Sequence, residues 1–297
     1  MSNVFAIIVV YFPDVKQLDE LINILSGQTQ KIVIVDNSDN QYYLSFSDVE
    51  SDIHYIKLGV NKGIAKAQNV GIEKALELDA ADIIFFDQDS KPSSSLIEDL
   101  LVARNTAKND GLNVAAIGPS HIDSDSNEPA RFISIDNNNI TLFKPRPAVP
   151  YMECGFIIAS GGLIEVKILE EVGVMEEGLF IDCVDIEWGF RAKSLGLVSL
   201  CAPNAHMHHK IGDSPLILFG RQLTTHSPIR HYYFYRNFYL LLKRDYVPFA
   251  WKKSVLFKSM IQACVFCLLL KPRFQHFKAI AKGIHHGLAG KYGKYEE

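Results

Sequence analysis

The segment Val4–Tyr11 reads VFAIIVVY, a run without charge and mostly β-branched. A strand with one wet face alternates apolar and polar residues. A strand that is apolar on both sides needs cover on both faces, the situation of a parallel sheet sandwiched by helices. Lys31–Val35 (KIVIV) and Asp82–Phe86 (DIIFF) repeat the pattern, with Ile53–Lys57 a weaker strand between them. Val15, Leu18, Leu21, Ile22 and Leu25 recur at helical spacing, and Ile64–Leu78 reads as an alanine-rich helix. Strands alternating with helices give an α/β layered domain with a mostly parallel sheet. In such sheets ligands sit outside the carboxyl ends of the strands. The polar clusters after the second and fourth strands are where a site is expected.

Beyond residue 110 the pattern loosens. Val114–Gly118 is strand-like, Asp123–Asn139 reads as a loop or hairpin, and Ile164–Val172 and Asp185–Leu195 read as short helices stopped by Gly173 and Gly196. Ser95 and Glu98 suggest a capping box for the helix that follows them. After Pro228 the chain turns aromatic and basic. Residues 221–297 carry 14 Lys/Arg against three acids, a net of +11, whereas residues 1–220 carry a net of −15. The split points to an acidic body and a basic tail that meets an anionic surface. The acidic body disfavours nucleic acid as that surface.

Composition sets the remaining bounds. With 297 residues, 48% hydrophobic and 22% charged, the chain is globular, and its five scattered cysteines make no disulfide framework. The start lacks the basic region and cleavage site of a signal peptide. The longest apolar run, Ile261–Leu270, is about half of the roughly 18 residues that span a bilayer. These features lead to the expectation of a cytoplasmic protein lying on the inner face of the membrane.

Four clusters can carry chemistry. Asp36, at the end of the second strand, can bind a base or ribose hydroxyl, or simply form an Asx turn. Asp87 and Asp89 flank Gln88 directly after the DIIFF strand. Two carboxylates so placed can hold a divalent cation on a pyrophosphate, or be a solvated turn. Asp182, Asp185 and Glu187 open a helix beside Trp188; acids suit a helix start in any case, and they also suit a general base next to a sugar-stacking aromatic. His206, His208 and His209 can ligate metal or lie in a surface loop. Gly59–Gly63 is neither a dinucleotide fingerprint nor a P-loop, no GxSxG elbow exists, and the single CxxC at Cys264 and Cys267 lies in an apolar run.

Together these pieces resemble the inverting glycosyltransferases of family 2, and among them bacterial rhamnosyltransferases. The resemblance covers roughly residues 4–245. It rests on the order of IVVYFPD near the start, VDNSD at 35–39, NKGIAKAQNVGI at 61–72, FFDQDS at 85–90, SGGLI at 160–164, GLFIDCVDIEWGFRAKSLG at 178–196 and HHKIGD at 208–213. It implies a GT-A, Rossmann-like α/β core with a mostly parallel sheet over 1–220, with a nucleotide-binding half (1–110) and an acceptor half (111–220). A helical, basic region follows at 221–297. Carried over, Asp36 contacts the base, and Asn61, Lys62, Gly63 and Asn69 line the nucleotide pocket. Asp87 and Asp89 hold Mg²⁺ or Mn²⁺ with His209, whose H-x-x-G pattern Gly212 completes, and Asp185 is the catalytic base. Many relatives read Glu-Asp at the base motif where Val184 stands here, so Asp182 and Glu187 remain supporting candidates.

The resemblance further implies a nucleotide-sugar donor, dTDP-β-L-rhamnose or else a UDP- or GDP-linked sugar. The acceptor would be a glycan or polyprenyl-linked glycan of a bacterial surface polysaccharide of the O-antigen type. Trp251–Leu270 is a basic amphipathic stretch suited to an anionic inner leaflet, to packing on the catalytic body, or to a homodimer. The non-enzymatic alternative is a catalytically inactive, membrane-bound scaffold of the same fold.

Overall fold

The computed structural model describes residues 3–39, 52–123, 128–136, 139–209, 216–218, 221–223 and 225–296. The run at the start forms β1 (Val4–Val10), buried along its whole length. β2 (Lys31–Asp36) and β4 (Asp82–Asp87) pair with it in parallel on either side, and β3 (Ile53–Lys57) adds in parallel outside β2. Between them run α1 (Val15–Ser26) and α2 (Ile64–Glu77). The chain continues through β5 (Lys91–Pro92), α3 (Leu96–Asn109) and β6 (Val114–Asp123). The segment expected as a loop or hairpin over 123–139 leads into a small separate hairpin of β7 (Phe132–Asp136) and β8 (Asn139–Phe143).

β9 (Met152–Cys154), β10 (Leu163–Glu165), α4 (Val166–Val172), α5 (Val184–Ser194) and β11 (Val198–His209) complete the layered body. Described residues of a second small hairpin, β12 (Leu216–Leu218) and β13 (Arg221–Leu223), precede α6 (Pro228–Leu241), α7 (Phe249–Leu269) and α8 (Arg273–Leu288). The main sheet has the order β3-β2-β1-β4-β10-β6-β11-β5, with β9 also on β11. β10 is antiparallel to both neighbours, β4 and β6, while β6 and β11 run parallel.

Alternate residues of β1 reach two cores. Phe5, Ile7 and Val9 pack with α2, α4 and α5, and Val4, Ala6, Ile8 and Val10 pack with α1 and α3. α2 lies so close to β1 that a Cβ on Gly71 would stand 2.4 Å from Ile7 Cγ2. The first core also takes in Phe238, Leu240 and Leu241 of α6 and Ala250 and Trp251 of α7. The change in sequence character near residue 220 therefore marks no gap between cores, and α6 belongs physically to the body.

Two local expectations fail. Ser95 makes no side-chain cap; its hydroxyl donates instead to Asp99 at 2.8 Å, so no capping box forms. The helix expected from Ile164 begins at Val166, because Leu163–Glu165 add to the sheet edge of β4 first.

At the amino end of β4, Asp82 receives a two-pronged ion pair from Arg104 of α3, with both side chains about nine-tenths buried. Removing one partner strands a buried charge, at about 3–5 kcal/mol. Arg104→Met should therefore lower the unfolding free energy by about 3 kcal/mol in urea titration. A loss below about 1 kcal/mol would reduce the pair to the worth of a surface contact.

Candidate functional site

The strand order reverses at β1, so a crevice opens at the carboxyl ends of β2 and β4. Asp36 ends β2 in register with Val10, and Asp87 ends β4 in register with Val9. One strand lies between them, which sets the two backbones about 10 Å apart.

On the β2 side the polar groups are knitted together. Asp36 is fully buried; its Oδ1 accepts from the Ser38 N–H at 2.9 Å and its Oδ2 from the Tyr55 hydroxyl at 2.6 Å. Asn37 accepts from the Lys62 N–H at 2.8 Å and donates to Asn61, whose Oδ1 also takes the Gly63 N–H at 3.0 Å. Asn61, Lys62 and Gly63 thus form a loop pinned to the end of β2 and leading into α2. Gly63 has φ +87°, and a Cβ there would sit 2.5 Å from the Phe180 carbonyl oxygen, so only glycine fits. The N-terminus of α2 has no side-chain cap.

Asn69, expected in the nucleotide pocket, stands elsewhere. It is buried on α2, donates to the Met175 carbonyl and to Glu177, and accepts from the Met175 N–H, each at 2.9 Å. Its amide is occupied in tying α2 to the 175–177 segment.

On the β4 side, Asp87 is half-buried and Asp89 is exposed on the turn that follows. Ser160 Oγ lies 3.5 Å from the Asp87 N–H and 2.9 Å from Ser90 Oγ. The Ser160–Gly162 turn is locked to β4 by the Gly161 N–H on the Phe85 carbonyl at 2.7 Å. β5, which begins two residues after Asp89, pairs with β11 so that Lys91 faces His208. The histidine-bearing end of β11 is thereby carried to the Asp87–Asp89 turn. His206 and His208 are exposed; His209 closes the strand, and Gly212 lies outside the described residues. No group of three His, Cys, Asp or Glu suited to a metal forms among the described residues.

Asp185 lies in the first turn of α5, half-buried, beside a small cavity lined by Phe85, Ile157, Gln68, Ser199 and Trp188. Burial pushes its carboxyl up from 3.8 to about 6. The N–H groups of Ile186, Ala159 and Asp185 itself pull it back, and the charge of Asp87 adds to the rise. A carboxyl poised near neutrality in a cleft suits proton abstraction.

The other acids of that motif are spoken for. Glu187 is buried and bound by Arg191 through two N–H groups at 2.9 Å and by the Tyr246 hydroxyl at 2.6 Å. Asp182 takes a forked pair from Arg230 at 2.6 and 3.0 Å. Trp188 corrects the expectation of a sugar-stacking surface: its indole is buried, with Nε1–H on the Gly173 carbonyl at 2.8 Å. Ser160, the Ala159 N–H and Tyr55 were absent from the expected set. The glycine pair after Ser160 was the available signal, since a Cβ on Gly161 would press on Pro119 at 2.7 Å.

The sequence matches Glycosyl transferase family 2 over residues 6–173. It is also 35% identical over 295 residues to the dTDP-rhamnosyl transferase RfbF of Shigella flexneri, covering 98% of this chain and 97% of that one. The chain belongs to glycosyl transferase family 2. Across its full length this family 2 glycosyltransferase is 22% identical to the low-salt glycan biosynthesis hexosyltransferase Agl10 of Haloferax volcanii, covering 94% of it.

Among solved structures, TarS 1–349 of S. aureus in complex with UDP-GlcNAc superposes with a TM-score of 0.57 at 15% identity, over 96% of this chain and 81% of that one. GalNAc-T7 with UDP, GalNAc and Mn²⁺ gives 0.57 at 14% identity, over 82% of this chain and 48% of that one. The fold is the GT-A type, with a helical C-terminal region.

Proposed function

We propose that this glycosyltransferase moves L-rhamnose from dTDP-β-L-rhamnose onto a glycan or lipid-linked acceptor in bacterial surface polysaccharide synthesis. The observation that carries the donor is the 35% identity, over nearly the whole of both chains, to a dTDP-rhamnosyl transferase. The site supports a single in-line displacement. Asp185 removes the proton of the acceptor hydroxyl, which attacks the anomeric carbon from the face opposite the nucleotide, inverting it to an α-rhamnoside. Asn61, Lys62, Gly63 and Asp36 offer the nucleotide a pinned loop and buried polar floor. The positive end of the α2 dipole is favourable for the diphosphate, with its Ile64 N–H already held by the Phe180 carbonyl.

The donor set also fits a divalent cation. Mg²⁺ is held by one or two carboxylates, several waters and the substrate's own phosphates, so a third protein ligand is not required. Asp89 and Asp87 would supply hard oxygen and His209 would add to them; the Mg²⁺ or Mn²⁺ would neutralise the departing diphosphate.

Thermal shift with dTDP-rhamnose, UDP- and GDP-sugars, each with Mg²⁺ or Mn²⁺, tests this reading, because a ligand stabilises by RT ln(1 + [L]/Kd). Preferential stabilisation by the dTDP sugar is expected. A response to UDP- or GDP-sugars alone would overturn the donor, and a β-linked product by NMR would overturn inversion.

The C-terminal helices support attachment to an anionic leaflet. Phe257, Met260, Ile261 and Leu268 are exposed at helical spacing on α7, and Phe274 (74% exposed) and Phe277 are exposed on α8. No acid occurs between Asp245 and Glu296, while Lys252, Lys253, Lys258, Lys271, Arg273, Lys278 and Lys282 do. No helix among the described residues is long and apolar enough to cross a membrane. Each basic residue contributes on the order of 1 kcal/mol at such a surface, and apolar insertion adds to that. Phe257→Asp with Phe274→Asp should abolish flotation with vesicles containing anionic lipid and leave donor binding intact. Full-length protein that stays at the bottom of the gradient at low salt would reassign these residues to a homodimer, read by its sedimentation.

A further inference from the structure

Asp185 is delivered by a turn whose backbone is held against its own preference. Phe180, Asp182 and Cys183 have φ of 64°, 65° and 63°, a region that side chains other than glycine rarely adopt. Such conformations persist only where the surroundings over-determine them, and they concentrate at functional sites.

Here the surroundings are largely one helix, α6. Asn237 is fully buried and aims its amide Nδ2 at three carbonyls: Leu179 at 2.9 Å, Ile181 at 2.7 Å and Asp182 at 2.8 Å. Arg236, 1% exposed, donates to the Leu179 carbonyl at 2.8 Å and the Gly178 carbonyl at 3.3 Å. Arg230 forks onto the Asp182 carboxylate from about two turns earlier on the same helix. From the other side, the Ile64 N–H at the start of α2 takes the Phe180 carbonyl at 2.7 Å. The turn is therefore clamped between the helix that opens at the nucleotide loop and α6.

Packing alone could have been met by apolar side chains. Instead a buried amide and two guanidinium groups converge on backbone oxygens and the one carboxylate of residues 178–182, directly before the helix that carries Asp185. Buried donors of this kind fix one geometry because each alternative leaves them unpaired.

We propose that Asn237, Arg236 and Arg230 are positioning residues for Asp185. They hold the 178–183 turn so that the first turn of α5 presents its carboxylate to the crevice beside Asp87. The acceptor side of the site is then set in part from the C-terminal region. This rests on the reading of Asp185 as the base.

The test uses the full chain, with dTDP-rhamnose as donor and water as acceptor, followed as dTDP release, and calorimetry with dTDP for nucleotide affinity. Arg230→Ala, at a half-exposed position, and Asn237→Ser should each lower kcat tenfold or more. The dTDP dissociation constant should stay within twofold, and Arg230→Lys should recover part of the rate by keeping the charge without the fork. Should Asn237→Ser fail to fold, Arg230→Ala decides. Wild-type kcat in Arg230→Ala, or a fall in kcat matched by an equal loss of dTDP affinity, would overturn the proposal. Asp185→Asn is measured beside them. If it stays active, the base assignment fails whatever the α6 variants do; if it is dead while Arg230→Ala is unimpaired, only the positioning role is lost.

Discussion

Asp185→Asn should lower kcat by about 10²–10⁴, leave nucleotide affinity nearly unchanged, and raise the melting temperature. The first part follows from the role of a positioned base, whose removal costs rates of that order. The second follows from geometry: the nucleotide loop is anchored to Asn37, directly after β2 and across β1 from the Asp87 end of β4. The third follows from the carboxyl's displaced titration. Because burial lifts its folded value from 3.8 to about 6, the folded state binds more protons than the unfolded state between those limits. Stability therefore falls as pH rises through that window, and the full cost is present above about pH 6.

Holding the ionised carboxylate in this site costs the folded protein about 3 kcal/mol at neutral pH, most of which a neutral amide of the same shape avoids. For the wild type, kcat should drop as pH falls below about 6, where the base is protonated. Steady-state kinetics, calorimetry with dTDP and a melting curve at pH 8 check the three parts together. An active Asp185→Asn that is less stable than wild type would remove both the base and the argument from burial.

The strands were legible because their physics is local. Residues of Val4–Val10 face two cores in alternation, so the run had to be apolar at every position, and its shortness and β-branched residues separate it from a buried helix. The ends of β2 and β4 followed at once, and with them Asp36, Asp87 and Asp89. The resemblance supplied Asp185 as the proposed base; it lies in the first turn of α5, where a carboxylate is favourable, with the Ala159 N–H on it.

What stayed hidden depends on partners distant in sequence. The resemblance, through the NKGIAKAQNVGI motif, makes Asn69 a pocket residue, yet Met175 claims its amide from 106 positions away. Glu187 could be read as a rival base only until Arg191 and Tyr246 were seen on it. The three residues of β10 carry too little periodicity to separate them from the helix they precede. Arg230, Arg236 and Asn237 lay inside an aromatic, basic helix, and nothing in their spacing announces that a carboxylate 48 positions earlier will meet the first, and backbone oxygens 55 or more positions earlier the other two.

Asp89→Ala should reduce turnover on the order of a thousandfold while leaving the melting temperature of the unliganded protein within about 2 °C of wild type. Asp89 is exposed, on the turn between β4 and β5, so its loss removes no buried contact, and surface changes of that kind stay within about 0.5 kcal/mol. Its value lies in what it can hold. A carboxylate at the strand end, next to the crevice, with Asp87 two residues before it and the His208 end of β11 paired to Lys91 two residues after it, is placed to share a cation with a diphosphate. Stabilising the leaving diphosphate by several kcal/mol corresponds to about that rate factor. Asp87→Ala should lose comparable activity but also some stability, since Asp87 is half-buried at the end of a sheet strand.

Raising Mn²⁺ should restore part of the rate in Asp89→Ala, because weakened affinity is recoverable by mass action whereas a lost proton acceptor is not. That response separates the proposed metal residue, Asp89, from Asp185, whose Asn variant should gain nothing at any metal concentration. Turnover of Asp89→Ala near the wild-type rate at limiting Mn²⁺, together with indifference of the wild type to chelation, would leave Asp87 and Asp89 as turn residues and require the diphosphate to be held by the α2 loop alone.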